Sequence, residues 1–265
     1  VKNHPESQKM ADRSSSSLLA GVPMPWMKRW AGPFPVVADR AEGGTIFDID
    51  GNTYVDFCLG DTGSMTGHAN ASISQAISNQ ANRGFTTMLP SSDISWVANN
   101  LSERFGMSKW QFCLSATDAN RFSLRIARAL SGRSKIVVND WCYHGTVDET
   151  LVILDEHGKT VSRPGAIGPQ VDPGQTTIAV PFNDLDAMEK ALAGGDVACV
   201  LMEPALTNIG IVLPQSGYLE GVRRLTKQFG VILILDETHT ICAGPQGASR
   251  LWGIEPDMLV IGKTI

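Results

Sequence analysis

No run of basic residues occurs anywhere in this 265-residue chain. Lys and Arg number 22 against 27 Asp and Glu, a formal charge of −5, so the electrostatic footprint of a nucleic-acid binder is missing. No apolar run approaches the roughly 20 residues that span a bilayer. Residues 1–17 are polar, and Leu18–Ala20 is too short for the apolar core of a secretion signal. Cysteine is sparse: Cys58, Cys113, Cys142, Cys199 and Cys242 stand singly, with no C-x-x-C spacing, and an odd number cannot pair completely. That argues against a disulfide framework or a cysteine metal site and for free thiols in a reducing compartment. The expectation is a cytoplasmic protein with no metal, no membrane segment and no nucleic-acid partner. Nucleotide-binding signatures are also lacking, since no G-x-G-x-x-G follows a strand pattern and no Walker A motif occurs. There is no internal repeat.

What is present is enough apolar material, 43% of residues, for one large domain with a core and a small addition. Residues 1–20 are polar and Ser-rich and are expected to be poorly ordered. In residues 21–35, Pro23, Pro25, Pro33 and Pro35 interrupt any regular helix. Trp26 and Trp30 would be costly to expose, so this strip is expected to lie on a subunit interface or an active-site entrance. Residues 45–57 read as strand, turn, strand, with Asp50-Gly51-Asn52 supplying the tight turn. Residues 1–70 are read as an N-terminal segment and small lobe, and 71–265 as the large domain.

From about residue 90, short apolar runs alternate with helical patterns. The runs are Gln111–Leu114, Lys135–Asn139, Thr177–Pro181, Ala198–Met202, Val231–Leu235 and Met258–Ile261. Helical periodicity covers Ala119–Leu130, Asp184–Ala193 and Tyr218–Phe229, the last stopped by Gly230. Glu156–Gln175, rich in Gly and Pro, reads as a long loop. Apolar runs without polar alternation imply strands covered on both faces, hence an α/β fold with a mostly parallel central sheet and flanking helices.

Open α/β sheets bind ligands beyond the C-terminal ends of their strands. There the chain presents Ser115-Ala116-Thr117-Asp118-Ala119, Tyr143-His144-Gly145, Glu203-Pro204 followed by Asn208, Asp236-Glu237-Thr238-His239, and Gly262-Lys263. An aspartate at the end of a buried strand is expensive unless a cation meets it. A lysine follows Asp236 by 27 positions, also at a strand end. Taken singly, Tyr143 also reads as a core aromatic, Glu203 as a strand-end cap, and His68, His144 and His239 as structural or surface histidines.

In this order the motifs resemble the class III aminotransferases, enzymes of pyridoxal-phosphate (PLP) fold type I, and within them the glutamate-1-semialdehyde aminomutase branch. The resemblance covers roughly residues 30–265. It implies that Lys263 forms the Schiff base with PLP and later shuttles a proton, and that Asp236 pairs with the pyridine nitrogen. It implies that Ser115, Ala116 and Thr117 hold the phosphate at a helix N-terminus. Tyr143 would stack on one ring face and Thr238 on the other, Asn208 would reach the ring hydroxyl, and Glu203 and His144 would support the cofactor region. A homodimer and small amine, amino-acid and oxo-acid substrates are further implications.

The chain departs from the family pattern in three places. Ala116 stands where a glycine is usual, and the run Thr238-His239-Thr240-Ile241-Cys242-Ala243 lacks a familiar arginine. The sequence also stops two residues after Lys263, where the family continues into a C-terminal domain absent from this chain. The expectation is therefore a fragment of a longer aminotransferase that passes an amino group from an amine or amino acid to an oxo acid. An intramolecular 2,1-aminomutase and a non-catalytic half are the alternatives.

Overall fold

A computed structural model describes residues 3–265. The chain divides into two compact units, residues 1–89 with Thr264, and residues 90–263 with Ile265. The first unit therefore extends beyond the residue 70 at which the sequence suggests a boundary.

The first unit opens with helix α1 (Pro5–Ser14), where the composition predicts poor order; Val1 and Lys2 lie outside the described residues. The helix is capped from a distance. The Asp50 carboxylate accepts from Glu6 N (2.6 Å), Ser7 N (3.0 Å) and Ser7 Oγ (2.7 Å), satisfying first-turn donors that have no partner within the helix. Asp50 belongs to the turn of an antiparallel three-stranded sheet formed by β1 (Ala38–Glu42), β2 (Thr45–Asp48) and β3 (Thr53–Val55). Gly51 supplies the left-handed backbone that this turn needs, as its sequence suggests. The strip of residues 21–35 contains only short 3-10 turns, and Trp26 packs edge-on against Trp30. Helix α2 (Ala71–Ala81) completes the unit.

The second unit holds the parallel sheet. Helix α3 (Ile94–Phe105) precedes α4 (Ala116–Ser131), which is started by the Ser115 hydroxyl accepting from Asp118 N and ended by left-handed Gly132. Then follow β4 (Lys135–Asn139), a hairpin of β5 (Val152–Leu154) and β6 (Thr160–Ser162), β7 (Thr177–Val180) and α5 (Leu185–Leu192). The remainder is β8 (Val197–Met202), α6 (Tyr218–Phe229), β9 (Ile232–Asp236), α7 (Gly247–Leu251) and β10 (Met258–Val260). The sheet order is β10-β9-β8-β4-β7, and all four pairings are parallel.

Two expected features differ. Gln111–Leu114 is not a strand: it finds no sheet neighbour among the described residues and runs as exposed, irregular chain up to the α4 cap. The expected loop 156–175 contains β6, because Asp155 accepts from His157 N and Lys159 N and left-handed Gly158 reverses the chain into a hairpin. All five cysteines are free, and only Cys142 and Cys199 are buried. No helix among the described residues is long and apolar enough to cross a membrane.

The core lies on both faces of β8, every residue of which is buried. Val200 and Met202 pack with Val222 and Leu225 of α6, while Leu201 packs with Leu124 of α4 on the other face. Close-packed interiors respond to the loss of even a few methyl groups. Leu201→Ala is expected to destabilise the protein by about 2–5 kcal/mol, read as a lower denaturant midpoint at unchanged slope.

Candidate active site

Parallel strands place the segments that follow them on one side of the sheet. There the second unit has a cavity of about 230 Å³. It is lined from α4 by Ser115, Ala116, Thr117 and Asn120, and from the segment after β4 by Tyr143, His144 and Gly145. Glu203 follows β8, Asp236, Thr238 and His239 belong to the end of β9, and Lys263 follows β10. Every expected site residue except Asn208 is on this wall. Asn208 is exposed and pairs in an isolated bridge with Gly210, so the structure does not bring it to the cavity.

Asp236 is the electrostatic centre. It is buried at the last position of β9, and both its oxygens are fully engaged. Oδ1 accepts from Thr238 N (3.0 Å) and Thr238 Oγ1 (2.6 Å); Oδ2 pairs with His144 Nδ1 (2.8 Å) and accepts from Asn120 Nδ2 (2.7 Å). Burial pushes this carboxyl up, but its hydrogen bond and attraction to His144, with Thr238 and Asn120 adding to them, hold it below the usual value. The His144 imidazole moves the opposite way. Burial would strip its proton, yet the neighbouring Cys142 and Asp236 push it well above the ordinary value. The 2.8 Å contact of Nδ1 with the carboxylate and the opposite displacements of the two groups favour a charged pair. Asp236 and His144 thus form a buried ion pair.

Asn120 is absent from the candidates that the sequence suggests. Its amide donates to Asp236 and to the His144 carbonyl (3.2 Å), tying α4, β9 and the segment after β4 together. The signal was available: Asn120, Leu124 and Ala127 share the buried face of α4, and an asparagine among apolar core positions needs a polar partner. His144 and His239, read singly as structural or surface residues, both line the cavity.

The remaining wall is shaped by close approaches. Gly145 has φ 79°, and a Cβ there would collide with Thr117 Oγ1. Glycine lets this segment reach α4, where Thr146 N donates to Thr117 Oγ1 (3.2 Å). Glu203 is buried; it accepts from Tyr143 N (3.2 Å) and, through its other oxygen, from Thr207 N and Oγ1, while Tyr143 itself is 43% exposed. Ala116 is the first residue of α4, so glycine's wider conformations are not required there. A Cβ on Gly262 would come within 3.3–3.4 Å of Ala116 Cβ and Thr238 Cγ2, and Lys263 follows in a left-handed conformation, φ 61°.

A mostly parallel α/β unit whose strand ends join a buried carboxylate, a lysine and an open helix start has the architecture of the PLP-dependent transferases of fold type I. The chain belongs to the class III aminotransferase family, whose model matches residues 26–265. Among its relatives is a glutamate-1-semialdehyde 2,1-aminomutase of Methanothrix thermoacetophila, 35% identical over 98% of this chain and 60% of that protein. Another, from Heliobacterium modesticaldum, is 38% identical over 87% of this chain and 54% of that protein. A crystal structure of a glutamate-1-semialdehyde-aminomutase from Pseudomonas aeruginosa PAO1 superposes with a TM-score of 0.96 at 50% identity, covering 99% of this chain and 58% of that one. An omega-transaminase from Sphaerobacter thermophilus superposes with a TM-score of 0.91 at 28% identity, covering 97% and 60%. The chain thus spans about 60% of the length of the relatives it matches. The family's cofactor is PLP, and its solved members include complexes with PLP and PMP.

The ion pair makes stability depend on pH in both directions. Asp236, depressed in the folded state, contributes stability present above its unfolded value near 3.8 and lost as pH falls through its lower folded value. His144, raised in the folded state, contributes stability present below its unfolded value near 6.5 and lost as pH rises through its higher folded value. Both contributions are therefore complete between pH 3.8 and 6.5. In an unfolding free energy–pH profile, His144→Gln is expected to remove the part of the alkaline limb that begins near pH 6.5, leaving the fall at higher pH to which the buried Cys199 thiol, pushed up to about 12, contributes; an unchanged limb would refute the assignment. Gly145→Ala is expected to lower the melting temperature by several degrees, since both its backbone angle and its contact with Thr117 are violated.

Proposed function

We propose that this chain forms the PLP-binding part of an enzyme that moves an amino group within one small substrate, as a 2,1-aminomutase does. The observation that carries the reading is a buried, four-donor carboxylate on the same cavity as a lysine and the first turn of α4. These residues fit the cofactor by chemistry. First-turn N–H groups of α4 and the helix dipole suit a phosphate dianion, a buried carboxylate suits a protonated ring nitrogen, and a lysine amine suits an aldehyde. When bound, PLP supplies an electron sink for negative charge developing on the substrate carbon.

The chain's own residues bind, orient and move protons. Ser115, Ala116 and Thr117 would hold the phosphate. Asp236 would hold the proton of the ring nitrogen, with His144 and Asn120 keeping that carboxylate ionised and oriented. Tyr143 and the Thr238 methyl would flank the ring, and Glu203 accepts from the Tyr143 N–H. The Lys263 amine would tether the cofactor aldehyde and, when free, would move a proton at the substrate carbon. Asn208 has no role in this arrangement.

Intermolecular transfer to an oxo acid stands first on sequence reasoning alone; the names of the relatives at 35–50% identity reverse that order. Transamination remains the second reading, favoured by the altered run after Asp236 and by the transaminase neighbours at 28% identity. The protein works as a cytoplasmic homodimer in this proposal, supported by the free cysteines and by Trp26 and Trp30, each about half exposed.

The two readings differ in their demand for a second substrate. Glutamate 1-semialdehyde is expected to turn over with no oxo acid added; an absolute requirement for pyruvate or 2-oxoglutarate would establish transamination instead. Lys263→Ala is expected to lower turnover by about 10²–10⁴-fold or more while PLP is still taken up reversibly. Turnover near the parent rate would reject Lys263.

A further inference from the structure

The Asp236 carboxylate has no acceptor position to spare. An ionised carboxylate offers about four lone-pair sites on two oxygens. Four donors meet them: the Thr238 N–H and hydroxyl on Oδ1, His144 Nδ1 and Asn120 Nδ2 on Oδ2. On the functional reading above, on which this inference rests, a cofactor ring N–H approaches the same carboxylate as a fifth donor. One resident must yield.

Three of the four are held in place. The Thr238 N–H belongs to the backbone directly after β9 and cannot turn independently. The Asn120 amide is wholly buried and also binds the His144 carbonyl, so its withdrawal would break two bonds. His144 is buried and paired as a cation, and its departure would strand a charge. The Thr238 hydroxyl differs. It turns about a single Cβ–Oγ bond, its residue is only partly buried, and it lines the cavity, so its O–H can be re-aimed without exposing a buried donor.

We propose that Thr238 is a placeholder donor: its hydroxyl satisfies Asp236 Oδ1 and surrenders that position to the ring nitrogen of the cofactor. Thr238 is thereby a positioning residue that sets cofactor affinity through Asp236, beside any packing of its methyl on the ring. Removing the hydroxyl then has two effects of opposite sign. The protein without cofactor loses a hydrogen bond to a buried charge and becomes less stable. Cofactor binding becomes tighter, because nothing has to be displaced and the carboxylate is a stronger acceptor.

The test compares the parent with Thr238→Val, which replaces hydroxyl by methyl at nearly equal volume, and Thr238→Ser, which keeps the hydroxyl. Melting temperature without cofactor is measured alongside equilibrium binding of PLP and of a PLP analogue with carbon in place of the ring nitrogen. Expected for Thr238→Val are a lower melting temperature and PLP binding tighter by about tenfold, the factor a single hydrogen bond carries. The analogue should show no such gain, and neither should Thr238→Ser, which keeps the hydroxyl and loses only the methyl. PLP binding to Thr238→Val that is unchanged or weaker would overturn the proposal, as would an equal gain for the analogue or for Thr238→Ser. A parent protein that takes up no PLP would overturn the cofactor reading itself, an outcome distinct from uptake indifferent to residue 238.

Discussion

A carboxylate at the end of a fully covered strand must be satisfied, and the second unit is arranged around that requirement. Asp236 sits where β9 leaves the sheet, too buried for solvent to serve it. Its partners arrive from three directions: its own following turn through Thr238, the first turns of α4 through Asn120, and the segment after β4 through His144. That convergence needs parallel strands, which deliver successive segments to one side of the sheet. It also needs Gly145, without which the His144 segment would strike Thr117. Removing the carboxylate would thus release several elements at once, because each spends a polar group on it.

Such a pair is a weak device for stability. Two desolvated charges seldom gain from their attraction much more than burial costs them, and apolar residues of similar volume commonly serve the folded state as well or better. The Asp236–His144 pair has a directional value instead. It keeps a carboxylate ionised inside the protein with its oxygens at a defined orientation, which an apolar substitute cannot do. Glu237 offers a contrast one residue away. It is equally buried, but its oxygens are spent on Ala248 N and Ser249 N at the start of α7, and it is not among the residues lining that cavity. The adjacent acids therefore divide their work: one lines the cavity, and the other holds the chain that follows.

Local chemistry was legible in the sequence where the deciding forces were local. Tyr218–Phe229 carries its own apolar face and its own glycine stop, and its observed bounds match the pattern. Asp236 and Lys263 were legible because a charge at the end of an apolar run stands out. Elements decided by distant partners were not. Helix α1 depends on a cap from Asp50, more than forty positions later, so composition alone suggested disorder. Gln111–Leu114 has the composition of a strand, but a strand exists only beside another, and none is there among the described residues. Asn208 lies a few residues from Glu203, yet the bridge pairing Leu206 with Val212 closes a small turn on which Asn208 is exposed, and it is not among the residues lining the cavity.

The connection between Asp236 and Lys263 is a matter of register. Val260 of β10 lies directly opposite Asp236, and Glu237 N donates to the Val260 carbonyl (2.8 Å), so the chain reaches the cavity level just before Gly262. There the crowding by Ala116 and Thr238 leaves little room for a side chain, and Lys263 takes up a left-handed conformation that costs a non-glycine residue on the order of 1–2 kcal/mol. That strain is sustained by the β9–β10 pairing behind it. Because side chains alternate along a strand, a slip of one residue would turn every β10 side chain to the opposite face and displace Lys263 from its level beside Asp236. The placement of acid and amine on the cavity therefore depends on a three-residue strand, and β10 is where a small packing change would shift the cavity wall without touching either residue.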